Sequence, residues 1–204
     1  ELLKRKIERA EEDIRSHILA ALVACKYQVP VREVFRIQEQ IRKEIEDATW
    51  TLSVLSDMGD YEHAAKLKDA LRSDIVKNQK RIFLLLAMVY LPDPILAAQR
   101  NLGSSSSDKK AYALETLDNI ISLEIKPLIL QLMDDTIPLP QRHSWLTNHF
   151  PQERMSPHER LKEILQRSQK TVSSWTRACA LFTIGNIGTM EFHDIVISGL
   201  NDPD

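Results

Sequence analysis

The sequence predicts an all-α protein in which three long antiparallel helices lead into a right-handed HEAT-like α-α superhelix. Three observations carry that prediction. Apolar residues recur every three or four positions over long stretches, a spacing that gives a helix one apolar stripe. Glycine occurs only 5 times in 204 residues, too few for a fold built of hairpins, whose tight turns need left-handed positions. A segment that begins just after residue 110 is repeated, without a gap, sixty-seven positions later.

The first helix is predicted from Leu3, Ile7, Ala10, Ile14, Ile18, Ala21 and Cys25. The second follows from Val34, Ile37, Ile41, Ile45, Ala48, Leu52 and Leu55. The third follows from Ala64, Leu67, Leu71, Ile75, Ile82, Leu85 and Val89, with one full heptad after Ile75. The opposite faces are charged, as in Arg42-Lys43-Glu44 and in Lys66, Asp69 and Arg72. Each stripe needs a partner, and three antiparallel neighbours satisfy all of them. Pro30 ends the first helix and opens the second, because proline is tolerated in a first turn and not in an interior. Gly59 is the expected C′ residue of the second helix and Asp60 the expected N-cap of the third. Residues 82–91 are apolar on every side, so that end of the third helix is expected to be surrounded by others. Pro92 and Pro94 close it. Gly103-Ser104-Ser105-Ser106-Ser107-Asp108 reads as a loop whose Ser107 or Asp108 caps the next helix.

The internal repeat organises the rest. Ala111-Tyr112-Ala113-Leu114-Glu115-Thr116-Leu117-Asp118-Asn119-Ile120 matches Ala178-Cys179-Ala180-Leu181-Phe182-Thr183-Ile184-Gly185-Asn186-Ile187. Beyond it Ile125 aligns with Phe192, Leu128 with Ile195 and Leu130 with Ile197. Each copy reads as a helix, a short turn and a second helix, the signature of stacked helix pairs. Alanines 111, 113, 178 and 180 are expected to let helices approach closely, with Leu114, Leu117, Leu181 and Ile184 filling the layer between pairs. Pro127 falls in a first turn, where its missing N–H is harmless. An offset of about two repeat lengths implies an irregular pair in between, broken by Pro138, Pro140, Pro151 and Pro157. The expected organisation is a long-helix bundle over 1–91 and repeats over 92–204, with pairs at about 109–135, 139–169 and 173–202, in one continuous stack.

Several phrases resemble the HEAT-like region of bacterial ATP/ADP-translocase-like proteins. They are Ala113-Leu114-Glu115-Thr116-Leu117-Asp118-Asn119 with Lys126-Pro127-Leu128-Ile129-Leu130, then Trp175-Thr176-Arg177-Ala178-Cys179-Ala180-Leu181, and Arg81-Ile82-Phe83-Leu84-Leu85 before Tyr90-Leu91-Pro92. The resemblance covers roughly residues 80–204. It implies a cytosolic connector that follows a transporter-like part, on the cytosolic side of the inner membrane through the parent protein. The first residue, Glu1, falls inside a helical pattern and Asn201-Asp202-Pro203-Asp204 reads as the opening of a turn, so the chain is expected to be a piece of a longer one.

Composition narrows the function classes. A hydrophobic fraction of 43% with 27% charged residues is ordinary for a folded domain, and a net charge of −2 gives no field to gather nucleic acid. Residues 82–91 are about half the roughly 20 residues a membrane-spanning helix needs. His143 and His149 have no preceding cysteine pair to complete a zinc finger, and the His158-Glu159 pair lacks the second histidine of a zincin. Gly185-Asn186-Ile187-Gly188 reads as a helix C-cap and not as a phosphate loop. Cys179, between two alanines, reads as a core thiol. No catalytic, cofactor or metal site is therefore expected. The candidate interaction surface is Arg142, His143, Trp145 and His149 of the irregular repeat, a face that deviating repeats commonly use for binding. The competing expectation is that Trp145 and Phe150 plug a gap between repeats. The expected role is a cytoplasmic, non-enzymatic scaffold whose partner is a protein or a neighbouring domain of the same chain. The rivals are a nucleic-acid-binding repeat protein and a repeat-type lyase.

Overall fold

A computed structural model of the chain describes residues 12–168, 171–188 and 190–200. The expected stripe residues Leu3, Ile7 and Ala10, the cations Lys4, Arg5 and Lys6, and the turn at residues 201–204 lie outside them. The described residues form ten α-helices and no strand. They are α1 Glu12–Ala24, α2 Val34–Met58, α3 Ala65–Val89, α4 Pro92–Leu102, α5 Ser107–Ile120, α6 Lys126–Met133, α7 Leu139–His149, α8 Pro157–Gln166, α9 Ser174–Ile187 and α10 His193–Leu200. Two compact units divide the chain, one holding Glu1–Thr49 with Val76–Pro151 and the other Trp50–Ile75 with Gln152–Asp204. Segment 139–169 contributes α7 to the first unit and α8 to the second.

In the first unit, α1 stops at Ala24 and Lys26 turns the chain with a φ of 55°. The linker is tied to the end of α3: Val29 N–H donates to Met88 O at 2.8 Å and Gln28 Nε2 to Ala87 O at 3.0 Å. Pro30 precedes a single 3₁₀ turn, Val31–Glu33, that runs into α2. The α2 stripe is buried at Ile41, Ile45 and Ala48, and the α3 stripe at Ile82 and Leu85. Residues 82–88 of α3 are buried on every side, as their apolar run predicts.

The charged face of α2 needs a correction. Arg42 and Lys43 are exposed, but Glu44 is only 1% exposed. Its Oε2 accepts from Arg81 Nε at 2.8 Å and Asn78 Nδ2 at 3.0 Å, and its Oε1 accepts from Arg15 Nη2. Position 44 lies three residues after Ile41 and beside Ile45, so it falls on the inward face of a 3.6-residue helix. A charge there is tolerated because it is paired and hydrogen-bonded. Arg81, its partner at 2.8 Å, is only 3% exposed.

The second unit is built around Trp50, Met58, Leu67, Leu71, Leu161, Ile164, Ile184 and Phe192. Each such side chain taken fully from water contributes roughly 1.5–3 kcal/mol. Gly59 leaves α2 at a φ of 41° and so occupies the expected C′ position. Asp60 does not cap the next helix. Tyr61 occupies the N-cap position, without a side-chain cap bond, before a 3₁₀ turn, Glu62–Ala64, that leads into α3. α8 opens with a capping box in which Ser156 and Glu159 satisfy each other's backbone N–H. The Ser156 backbone N–H, and after it the Ser156 hydroxyl, donate to the Glu159 carboxyl and hold it below its ordinary range. Arg160, 1% exposed, is held by Asp57 at 2.9 Å, Glu163 at 2.5 Å and Glu153 O at 2.6 Å. Ser173 caps α9, and Thr176 Oγ1 donates to buried Asp74 at 2.5 Å.

The two repeat copies, one in each unit, agree closely in local structure. α5 and α9 are both 14 residues and start sixty-seven positions apart; α6 and α10 are both 8 residues with the same offset. Ser106 and Ser173 cap the equivalent first turns. The capping residue of α5 is thus Ser106, not Ser107 or Asp108, which are the first residues of the helix. Ala113 and Ala180, Leu117 and Ile184, and Ile125 and Phe192 are buried in pairs. Ala111 and Ala178 are exposed, because two residues carry a helix roughly half-way round. Leu181, expected between layers, is 40% exposed because Ala180 and Ile184 define the inward face. In each unit a proline-initiated helix packs along the first helix of the copy, α4 on α5 and α8 on α9.

Candidate interaction surface

The four residues singled out by the sequence all lie on α7, which Pro138 and Pro140 open without a side-chain cap. Trp145 and His149, one turn apart, stack with ring centroids 4.1 Å apart at 27°. His149 Nδ1–H donates back to Trp145 O at 3.2 Å. Trp145 is half-buried and His149 exposed. Arg142 turns the other way. Its Nη1 donates to Leu132 O at 3.4 Å, and Gln79 Nε2 reaches the same oxygen at 3.1 Å. The two donors serve a carbonyl in the last turn of α6 that has no partner within its own helix. His143 is half-buried. The structure therefore brings Trp145 and His149 together and commits Arg142 to the end of α6. Phe150, the alternative plug, is 7% exposed.

Phe150 also closes a groove of about 680 Å³ that the sequence did not reveal. Its other walls are Arg15 of α1 and the outer face of α2, where Arg36, Glu39, Lys43 and Glu46 are spaced by threes and fours. The Arg42 guanidinium lies 6.0 Å from the Phe150 ring centroid. Arg15 Nε is buried, with no hydrogen-bond partner among the described residues. In a linear reading each of these cations belongs to the solvated side of its own helix. Only the approach of α1 and the end of α7 to α2 gathers them.

A second cluster lies in the other unit. Tyr61 Oη–H donates to His158 Nε2 at 3.1 Å, His158 Nδ1–H donates to Glu191 at 2.9 Å, and Lys162 Nζ donates to Glu191 at 2.7 Å. His158 meets the Phe192 ring edge-on at 5.3 Å. The Lys162 ammonium, and after it His158, hold the Glu191 carboxyl below its ordinary range. The elements joined are the turn after Gly59, the first turn of α8 and the 3₁₀ turn Met190–Phe192. In sequence these residues span about 130 positions, and no motif links them. A hydroxyl, an imidazole and a carboxylate in line can move a proton along the chain they form. No group of three His, Cys, Asp or Glu fit to hold a metal ion occurs among the described residues. Burial pushes the Cys179 thiol up, and it is packed in the core as its setting between alanines predicts.

The fold defined by the described residues is all-helical, and no described helix is long and apolar enough to cross a membrane. No protein-family model, characterised protein or solved structure matched the chain.

Proposed function

We propose that this chain is a non-enzymatic helical-repeat module whose surface holds a partner protein or a neighbouring domain, with its helix pairs stacked as a right-handed HEAT-like superhelix. One observation carries the reading. Two copies of a helix–turn–helix unit keep helix lengths, serine caps and three paired inward positions, while outward positions diverge. Asp108 becomes Trp175, and Glu115 becomes Phe182. A unit that keeps its inside and varies its outside is suited to carrying specificity on its surface.

A photo-crosslinking residue at position 149 or 182, introduced into the protein in its native cells, tests the reading. The expected result is a discrete protein adduct at one position that the other does not give. No adduct at either, with DNA or RNA retarded by the purified chain at low ionic strength, would establish the nucleic-acid rival. A finer proposal, a cytosolic connector of an ATP/ADP-translocase-like protein, rests on the resembling phrases at residues 81–92, 113–130 and 175–181 alone. Its test is the reading frame around this segment, where hydrophobic stretches of membrane-spanning length upstream are expected.

The Tyr61–His158–Glu191 chain favours a second reading, a proton-transferring site in an enzyme. A hydrolytic or lyase activity of the purified chain that His158→Gln abolishes, with the fold intact by circular dichroism, would establish it.

A further inference from the structure

We propose that the outward face of α9 pairs two copies of this chain, antiparallel about a two-fold axis at the level of Ala180. The inference deepens the interaction-module reading, whose partner at this face it names, and rests on it. Trp175, Ala178, Phe182 and Gly185 are exposed and spaced by threes and fours, so they form one stripe along the helix. Trp175 and Phe182 are 64% and 47% exposed, and Leu181 beside them is 40% exposed. The repeat does not need this stripe to be apolar. The same four positions of α5 are Asp108, Ala111, Glu115 and Asp118, and all are exposed. Exposed apolar surface that a sister helix does without marks a contact, and aromatic side chains are enriched at such contacts.

Two properties select a second copy as the occupant. The first is size. Trp175 and Gly185 are equidistant from residue 180, as are Ala178 and Phe182. In an antiparallel pair with its two-fold axis there, each ring meets a small residue. Trp175 faces Gly185 of the second copy, Phe182 faces its Ala178, and symmetry repeats both contacts. Large against small lets the two surfaces interdigitate. A Cβ added at Gly185 meets nothing within 4 Å, so the notch that takes the indole is open.

The second property is charge. α3 runs antiparallel beside α9. Lys66 Nζ lies 4.1 Å from the Phe182 ring centroid, and two turns further along α3 Asp74 accepts from Ser173 and Thr176 at the start of α9. Asp69, one turn after Lys66, is therefore at the level of Ala178, one turn before Phe182. Where Phe182 covers the second copy's Ala178, the Lys66 ammonium on that ring reaches the second copy's Asp69, and the axis repeats the pair. Asp69 Oδ1 accepts from Arg72 at 2.7 Å, on side chains 76% and 63% exposed, and a carboxylate takes a second donor on its other oxygen. The apolar side chains alone cover well under the roughly 800 Å² per partner of a standard interface, so the dimer is weak and forms as concentration rises.

The test is sedimentation velocity on the whole chain over a concentration series, where a shift from monomer to dimer is expected. Gly185→Leu fills the notch at an exposed position and is expected to raise the dimer Kd at least tenfold, with the fold kept by circular dichroism. Lys66→Asp and Asp69→Lys, also at exposed positions, each turn two attractions into repulsions and are expected to raise it about tenfold. The two charge changes together are expected to bring it back to within about threefold of the original. A monomer at every concentration, a dimer that Gly185→Leu leaves unchanged, or a double charge variant no tighter than the single ones overturns the proposal. A monomer in sedimentation with an adduct of another protein at position 182 overturns the pairing and leaves the module reading standing. A dimer lost in Gly185→Leu, with no adduct of another protein at 149 or 182, upholds the pairing and removes the foreign partner.

Discussion

Glu44→Ala is the substitution whose outcome the fold fixes most sharply. The carboxylate is 1% exposed and joins Arg15 of α1 to Arg81 and Asn78 of α3. Its removal takes the Glu44 carboxylate from Arg81, which is 3% exposed. Breaking a buried ion pair by deleting one partner costs about 3–5 kcal/mol, because the other charge remains desolvated. For a chain of this size each kcal/mol moves the midpoint by about 2–4 °C, so a fall of roughly 6–20 °C is expected. Urea titration followed by far-ultraviolet circular dichroism gives the free energy directly. Arg81→Met alone should also destabilise, and Glu44→Met with Arg81→Met should recover much of the loss, since an apolar pair of similar volume is often neutral or better. A Glu44→Ala effect below about 0.5 kcal/mol, the range of ordinary surface substitutions, would refute the reasoning. So would strict additivity of the two methionine changes, because contacting residues couple by about 0.5–3 kcal/mol.

Leu117→Ala, at a position 0% exposed, should destabilise by about 2–5 kcal/mol in the same urea titration; a change under about 0.5 kcal/mol would mean the repeat register is wrong. Two glycines of α9 should respond with opposite signs. Gly185 lies inside the helix, and an added Cβ meets nothing within 4 Å, so Gly185→Ala should stabilise by about 0.5–1 kcal/mol. Gly188 ends the helix at a φ of 65°, so Gly188→Ala should cost about 1–2 kcal/mol through backbone strain alone; equal signs in thermal melts would refute the assignment of the turn. Glu191, held below its ordinary 4.5 by Lys162 and then His158, contributes stability that is present in full above that ordinary value. That contribution is lost as pH falls through the lower folded value. Carbon-13 NMR titration should place its midpoint below that of a free glutamate, and Lys162→Gln should move it upward; an unmoved midpoint would remove the ion pair from the account.

Helix existence was legible because each helix repeats one local rule. Ile41, Ile45 and Ala48, or Leu67 and Leu71, are buried where a period of 3.6 puts them. The same rule misread Glu44, since polarity placed it outside while its phase placed it inside. Phase prevailed because Arg15, Arg81 and Asn78 arrive from other helices, a tertiary fact that no window along one helix contains. The stretch of α2 from residue 47 to 54 extends the point. All eight residues are buried, Asp47, Thr49, Thr51 and Ser53 among them. Local hydrogen bonds absorb part of that polarity, as where Thr49 Oγ1 donates to Ile45 O at 2.8 Å. Capping was legible to within a residue. Several of Ser104 to Asp108 can accept from a first-turn N–H, and which one does depends on where the chain leaves the preceding loop.

The repeat shows where a sequence pattern stops being informative. Ile121 and Gly188 are equivalent positions at the ends of α5 and α9, yet one is extended, at a ψ of 141°, and the other left-handed. Tyr112 and Cys179 are equivalent too, and the first is 64% exposed while the second is 3% exposed. The backbone rule that both copies obey is local: serine cap, fourteen-residue helix, short turn, eight-residue helix. What each copy meets beyond its own helices is not local, and the side chains at 112 and 179 have diverged to suit it. The groove beside α2 belongs to this second category. Its cations come from α1 and α2 and its wall from the end of α7. A groove assembled from three elements in this way leaves no motif, whereas α7 concentrates aromatic and basic residues in one run.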